Sequence, residues 1–234
     1  LGTYGVDRVL NVTDERLQSF SAKAVAHLLA EAAIEQQAST VVLSGSAEAK
    51  NIAPLLAIGL QAGYVPNVIS LPESADNFIV KTNVFSGKAF ALQQINSANK
   101  VLSIAPNAFG SKEAPTTAEV ISFTPTLPDS DFDLQVVSRE KVSGKVSLDD
   151  ANIIVSGGRG LKGAEHWGIV EQLADTLGAA TACSKPVADM GWRPHSEHVG
   201  QTGKVVAPNL YIALGISGAI QHLAGVNASK VKLV

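Results

Sequence analysis

Apolar positions fall into two periods along the chain. From Ser21 to Gln37 (SAKAVAHLLAEAAIEQQ) they recur every three or four residues, with Val25, Leu28, Leu29, Ala32 and Ala33 on one face, which predicts an amphipathic helix. A short apolar run at Thr40–Leu43 predicts a strand that stops at Ser44-Gly45-Ser46. Helical spacing resumes from Ala47 to Ala62, with Gly63 as the expected helix-ending glycine. Val68–Leu71, Phe78–Val84, Lys88–Leu92 and Lys100–Ile104 read as further strands, with a hairpin turn at Ser86-Gly87. Pro106 to Pro128, rich in Pro, Ser and Thr, reads as loop, and Val136–Gly144 as extended and charged.

The pattern changes near Lys145–Asp150, where a domain boundary is expected, giving domains of residues 1–147 and 148–234. Beyond it, Asn152–Val155 is an apolar strand, Ser156–Gly163 (SGGRGLKG) a glycine loop, and Trp167–Leu177 an amphipathic helix closed by Gly178. Ala179–Cys183 is the next strand, Lys204–Val206 and Leu210–Leu214 are short apolar runs, Gly218–Leu223 is a turn or two of helix, and Lys230–Val234 is a last strand. Strands separated by helices cannot form hairpins, so the pairing is expected to be parallel. The fold class is α/β: an N-terminal α/β domain followed by a doubly wound parallel-sheet domain.

Composition narrows the setting. The 234 residues suffice for a real core, and an apolar share of 46% with few aromatics (5%) suits buried parallel sheets. A net charge of −3 argues against nucleic acid or an anionic membrane as partner. A single cysteine, Cys183, excludes an internal disulfide framework and fits a reducing compartment. No apolar run reaches the length of a membrane span, and LGTYGVDRVLNV has no signal-peptide pattern. A soluble intracellular protein is expected.

Four stretches could carry chemistry. Gly158-Arg159-Gly160-Leu161-Lys162-Gly163 is a literal G-x-G-x-x-G after a strand. A dinucleotide site of that type needs an acid at the end of the following strand, which here reads Cys183-Ser184-Lys185. A tight loop needing glycine for positive φ, or an anion site built on Arg159 and backbone N–H groups, remain. Gly215-Ile216-Ser217-Gly218-Ala219 approaches a nucleophile elbow, but no Asp or Glu follows Ser217 and only His222 does, so the hydrolase order fails. Ser217 and the N–H groups of Gly218, Ala219, Ile220 and Gln221 instead suggest a polar cup at a helix start, with His222 either structural or placing a proton against an electron-rich ring. Val199-Gly200-Gln201-Thr202-Gly203-Lys204 lets backbone approach a ligand closely, or is a turn before a strand. Ser184-Lys185-Pro186 delivers a hydroxyl and a cation at a strand end.

Together NIIVSGGRGLKG, SKPVAD and VGQTGKVVAPNLYIALGISGAIQHLAG resemble the FAD-binding domain of electron-transfer flavoprotein α subunits. GTYGVDRVL, VVLSGSAEAKNIAPLLA and FSGKAFA resemble that family's first domain more weakly. The resemblance implies FAD as cofactor, a β subunit of related fold as partner, and electron flow from flavin dehydrogenases, such as those acting on acyl-CoA in fatty acid β-oxidation, to a membrane quinone reductase. It implies a carrier without a substrate of its own, in bacterial cytoplasm or the mitochondrial matrix. By position, it implies Arg159 over or beside the flavin end, Ser184 and Lys185 against the cofactor, and Val199, Gly200, Gln201 and Thr202 around the isoalloxazine edge, Thr202 near N5. Ser217, Gly218, Ala219, Ile220 and Gln221 would hold the ribityl–phosphate region, and His222 the O2/N1 side.

Two departures carry expectations of their own. Lys185 stands where the family usually has Arg, which implies an altered flavin potential or semiquinone stability. Family members also extend beyond both ends of the stretch seen here, so a strand and helix at the start and the adenosine-binding tail are expected to be missing. Cys183, Trp167 and Trp192 read as packing residues, Ser44-Gly45-Ser46 as a helix cap, and His195 and His198 as loop residues without further metal ligands nearby.

Overall fold

A computed structural model describes residues 1–134, 136–138 and 146–234, and it divides into two compact units, residues 1–82 with 92–140 and residues 83–91 with 141–234. The expected extended segment Val136–Gly144 and the boundary at Lys145–Asp150 each lie partly outside the described residues.

In the first unit, helix α1 (Ala22–Glu35) begins at Ser21, whose Oγ accepts from the N–H of Ala24. Ala26, Ala30 and Ala33 of α1 pack on Ala53, Leu56 and Ala57 of α2 (Ala47–Gly59), over Val101 in the sheet beneath. Small residues on both helices allow the close approach. That sheet runs β2 (Thr40–Ser44), β6 (Lys100–Ile104), β3 (Gly63–Ser70), β4 (Ile79–Val84), β5 (Ala89–Gln94). β2, β6 and β3 are parallel, and β4 returns antiparallel to β3. The hairpin turns through Phe85, Ser86 and Gly87, all at positive φ, where the Ser86-Gly87 pair predicts it.

Two local expectations are corrected. α2 ends with Gln61, not Gly63, in the left-handed region (φ 50°), and Gly63 opens β3 instead. A Cβ at Gly63 would lie 2.6 Å from Ile95 Cγ2, so this glycine is selected for contact rather than for φ. The Pro106–Pro128 stretch is not all loop: β7 (Glu119–Ser122) pairs in parallel with β1 (Arg8–Asn11) in a separate two-stranded sheet.

The second unit is a four-stranded parallel sheet in the order β11 (Val231–Leu233), β10 (Leu210–Leu214), β8 (Ile153–Gly157), β9 (Ala180–Cys183). The chain leaves β8 toward β9 on one side and returns to β10 on the other, so β8 and β10 flank a topological switch point. Helix α3 (Gly168–Leu177) covers one face with Val170 and Ala174 and ends at Gly178 (φ 60°), as its pattern predicts. Trp167, Val155, Cys183 and Val187 complete that core, while Ile154, Ala182, Val199 and Tyr211 form the core on the opposite face. A five-residue helix α4 (Lys185–Asp189) follows β9, and α5 (Ile220–Val226) begins two residues later than the apolar pattern suggests. Among the described residues no helix is long and apolar enough to cross a membrane.

Candidate cofactor site

Parallel strands carry their loops of opposite direction at opposite edges, so the segments leaving β8, β9 and β10 gather at one edge. There they enclose a cavity of about 610 Å³. Arg159 and Gly160 come from the loop after β8, Ser184, Lys185 and Pro186 from the end of β9, and Gly215, Ile216 and Ser217 from the end of β10. The wall is completed by His198, Val199, Gly200, Gln201 and Thr202 from the segment before β10, and by Ala219, Gln221 and His222 at the start of α5. Eleven of the thirteen residues singled out from the sequence therefore meet around one space. Gly218 and Ile220 lie outside the wall; Gly218 takes positive φ (69°) to turn the chain into α5, and Ile220 is exposed.

Glycine is needed here mainly for close backbone approach. A Cβ on Gly158 would stand 2.2 Å from the carbonyl oxygen of Gly215, and one on Gly160 2.8 Å from its Cα. Gly158 and Gly163 have negative, extended φ, and the left-handed residue of the G-x-G-x-x-G loop is Lys162 (φ 69°). The loop forms a single 3-10 turn at Arg159–Leu161 rather than opening a long helix, and α3 starts only at Gly168. This is a different geometry from a dinucleotide turn, in which the pyrophosphate sits on the helix end. The Gly200 loop is held the same way: a Cβ on Gly225 would lie 2.5 Å from the N and Cα of Gly200, while the N–H of Gln201 donates to the Gln221 carbonyl at 2.7 Å.

Ser184 occupies the N-cap of α4, yet its hydroxyl makes no cap hydrogen bond. Lys185 is exposed and paired with Asp189 one turn on, Nζ to Oδ2 2.8 Å, which keeps Asp189 below the usual carboxylate range. The segment before the Gly200 loop is anchored by Arg193, which donates to both carboxylate oxygens of Glu197 (2.9 and 2.8 Å) and to Glu171 of α3 (3.0 Å), with its guanidinium over Trp167. That anchor holds His198 and Val199 at the cavity wall.

His222 is buried, with Nε2 3.0 Å from the hydroxyl of Tyr211. Burial raises Tyr211, so its hydroxyl stays protonated, and the direction of its bond to Nε2 follows the tautomer of the ring. Its other ring nitrogen, Nδ1, is buried without a hydrogen bond of good geometry. Burial lowers the pKa of His222, offset by the Val199 backbone, which favours the protonated ring. An unpaired buried nitrogen costs about 1–3 kcal/mol, and a complementary group on a bound molecule would relieve it. Cys183 is inert, its thiol pushed up to about 12 chiefly by burial. Among the described residues no cluster has the makings of a metal site.

Residues 147–227 match the family described as the electron transfer flavoprotein FAD-binding domain, and residues 1–128 the electron transfer flavoprotein domain. The chain belongs to the electron transfer flavoprotein α family. It is 35% identical to the electron transfer flavoprotein subunit alpha of Bacillus subtilis, over 97% of this chain and 70% of that protein. It is 36% identical to the one from Syntrophomonas wolfei, over 97% and 72%. A probable mitochondrial subunit alpha of Cryptococcus neoformans is 36% identical over 97% and 66%. The role is that of an electron transfer flavoprotein and the cofactor is FAD. The second unit fits that group: its cavity is in the range of small-molecule sites (about 300–1,000 Å³), with glycine-packed walls, an uncommitted Ser184 hydroxyl and the orphaned Nδ1 of His222.

The sequence reading passed over two features of this site. His198 lines the cavity, although its place in the polar run PHSEH suggests only a surface loop. Gly215, Gly160 and Ile216 also belong to the wall, and the pairing of Gly160 with Gly215 is invisible until the sheet brings the two strand ends together.

Proposed function

We propose that this chain is the FAD-bearing half of a heterodimer with an electron-transfer flavoprotein β subunit, taking electrons from flavin dehydrogenases such as acyl-CoA dehydrogenases and passing them to a membrane quinone reductase. It acts as a carrier without a substrate of its own, in the cytoplasm or, in a eukaryotic setting, the mitochondrial matrix. The observation behind this reading is the convergence at the strand ends of Arg159, Ser184, Lys185, the Val199–Thr202 loop and the Ser217–His222 segment around one cavity.

Bound FAD supplies a ring that accepts and releases electrons. The protein's residues do the rest. Val199, Gly200, Gln201 and Thr202 bring backbone and short polar side chains against the ring edge, with the Thr202 hydroxyl assigned to N5. Ser184 offers its uncommitted hydroxyl, and Arg159 and Lys185 set positive charge at the rim. Ser217, Ala219 and Gln221 form the polar cup for the ribityl and phosphate groups, while Gly218 and Ile220, outside the wall, carry the chain between them. His222, oriented by Tyr211, presents its proton toward the O2/N1 side, where negative charge gathers on reduction. The polar groups are fixed before electrons arrive, so little reorganisation is needed for each transfer.

The test is an absorption spectrum of the purified protein, alone and after incubation with FAD, followed by stepwise reduction with dithionite. Bound flavin that bleaches and recovers on reoxidation is the expected result. Protein that stays colourless with excess FAD and β subunit overturns the reading.

A further inference from the structure

His198 is the member of the cavity wall to which the reading above gives no role. It is buried, at 7% exposure, and its ring sits in the bend of the glycine loop. A Cβ on Gly203 would lie 2.7 Å from its Nδ1, and one on Gly200 3.1 Å from its Nε2. The two glycines thus make room for this imidazole. Its backbone is pinned on both sides, the carbonyl accepting from the Lys204 N–H at 2.8 Å and the N–H donating to His195 at 3.1 Å, with a parallel bridge to Cys183. A titratable ring held this firmly beside a redox cavity has a fixed distance to whatever charge enters it.

The charged groups around it set its resting state. Lys185 and Asp189 face it from α4, His195 from the preceding turn and His222 from α5. Glu197, the preceding residue in the chain, is held by both arms of Arg193. Burial, and then Lys185, push the pKa of His198 below the ordinary histidine value; Asp189 opposes them and His195 adds to them. The ring is therefore neutral at neutral pH and available to take a proton.

We propose that His198 is the proton-uptake residue of the FAD cavity, gaining a proton from solvent when an external donor delivers an electron to the bound cofactor. The bookkeeping is closed: one negative charge enters from the donor, one proton moves from water to an imidazole nitrogen, and the cavity's net charge is unchanged. No bond to the cofactor forms or breaks. His222, committed to Tyr211 through Nε2, lacks that freedom, and the two histidines differ in role for this reason. The inference rests on FAD occupying this cavity.

The test uses FAD-loaded protein and reads two things: the midpoint potential of the flavin between about pH 5 and 8, the range in which histidines titrate, and the ring pKa of His198 by NMR in oxidised and dithionite-reduced samples. An opposite charge nearby raises a histidine pKa by about 1–3 units, and a rise in that range on reduction is expected. The potential should become more positive as the pH falls, with an added slope that His198→Gln abolishes and His195→Gln retains. FAD affinity of the His198→Gln protein reports separately on the fold of the site. Tight FAD binding with an unmoved His198 pKa and the same slope in both variants overturns the proposal alone. Failure of wild-type protein to take up FAD overturns both it and the reading of the cavity.

Discussion

The ends of β2 and β9 present the same local problem, a parallel strand turning through serine into a helix, and they resolve it differently. After β2, a Cβ on Gly45 would meet the Ile104 carbonyl at 2.4 Å, and Pro106 crowds the same place, so the chain leaving β6 fills the space. Ser46 spends its hydroxyl on the N–H of Ala49 at 3.1 Å. After β9, Ser184 caps α4 without that bond and borders a cavity of about 610 Å³. The first turn satisfies its polar groups internally, whereas the second leaves them for a ligand. A site here is a strand end whose hydrogen bonds have been left open, and the open end lies one strand away from the switch point between β8 and β10, where neighbouring loops diverge.

The largest effect expected from breaking that contrast is at Gly225. A side chain there would drive into the Gly200 backbone at 2.5 Å, and neither partner is the flexible end of a side chain. Gly225→Val should lower FAD affinity about 100-fold, equivalent to ~3 kcal/mol, and cost about 1–3 kcal/mol of stability through overpacking. Gly59, at the end of α2, is the matching position in the first unit. A Cβ there meets Ala30 Cβ at an ordinary 3.7 Å, so Gly59→Ala should leave FAD binding intact and stabilise by about 0.5–1 kcal/mol. Isothermal titration with FAD and thermal melts of both variants measure this. Equal FAD affinities would show that the tight Gly200–Gly225 packing does not shape the site.

Much of this architecture was legible from local pattern. The α1, α3 and β10 signals are long or uniform enough for periodicity to locate them, and Gly178 marks the end of α3 as its position suggests. What escaped depends on partners distant in the chain. β1 and β7 are four residues each and pair across more than a hundred positions, so neither carries a signal of its own. α4 is a five-residue helix with proline in its first turn, too short for any period to appear. Lys162 takes a left-handed conformation beside Gly163, and Gln61 two residues before Gly63, while those glycines do not, which reverses the usual inference from glycine to positive φ. The wall segments were found as four separate motifs, and only their convergence needed the sheet. His198 was missed because the bend of Gly200 and Gly203 that buries it does not show in composition.

A smaller effect separates the two serines directly. Removing an N-cap hydroxyl costs about 1 kcal/mol, so Ser46→Ala should lower stability by that amount and leave FAD affinity untouched. Ser184 contributes no cap bond, so Ser184→Ala should change stability by less than about 0.5 kcal/mol. Its loss should appear in FAD affinity, weakened about fivefold to tenfold for one hydrogen bond of ~1 kcal/mol. Denaturant melts paired with FAD titrations give the four numbers. The contrast fails if Ser46→Ala weakens FAD as much as Ser184→Ala does, since the turn after β2 would then not be closed on itself.

The subtlest difference lies in pH dependence. In the FAD-free protein, burial depresses the pKa of both His198 and His222. Above the unfolded histidine value near 6.5 both rings are neutral in either state and add no pH dependence. As the pH falls through that value the unfolded chain binds protons first, so unfolding takes up protons and stability drops, until the folded pKa values are passed. The stability these neutral rings preserve is thus present at pH 7.5 and lost progressively below about 6.5. Each group can contribute a slope of at most ~1.4 kcal/mol per pH unit. Chemical denaturation from about pH 7.5 to 5.5 should show this fall in the wild type, and a flatter curve when both histidines are replaced by Gln. His195→Gln, at an exposed position outside the wall, should keep the wild-type slope. An unchanged slope in the double variant would mean that the cavity's histidines do not meet burial as the structure describes, and that the open end of the second sheet is wetter than its packing implies.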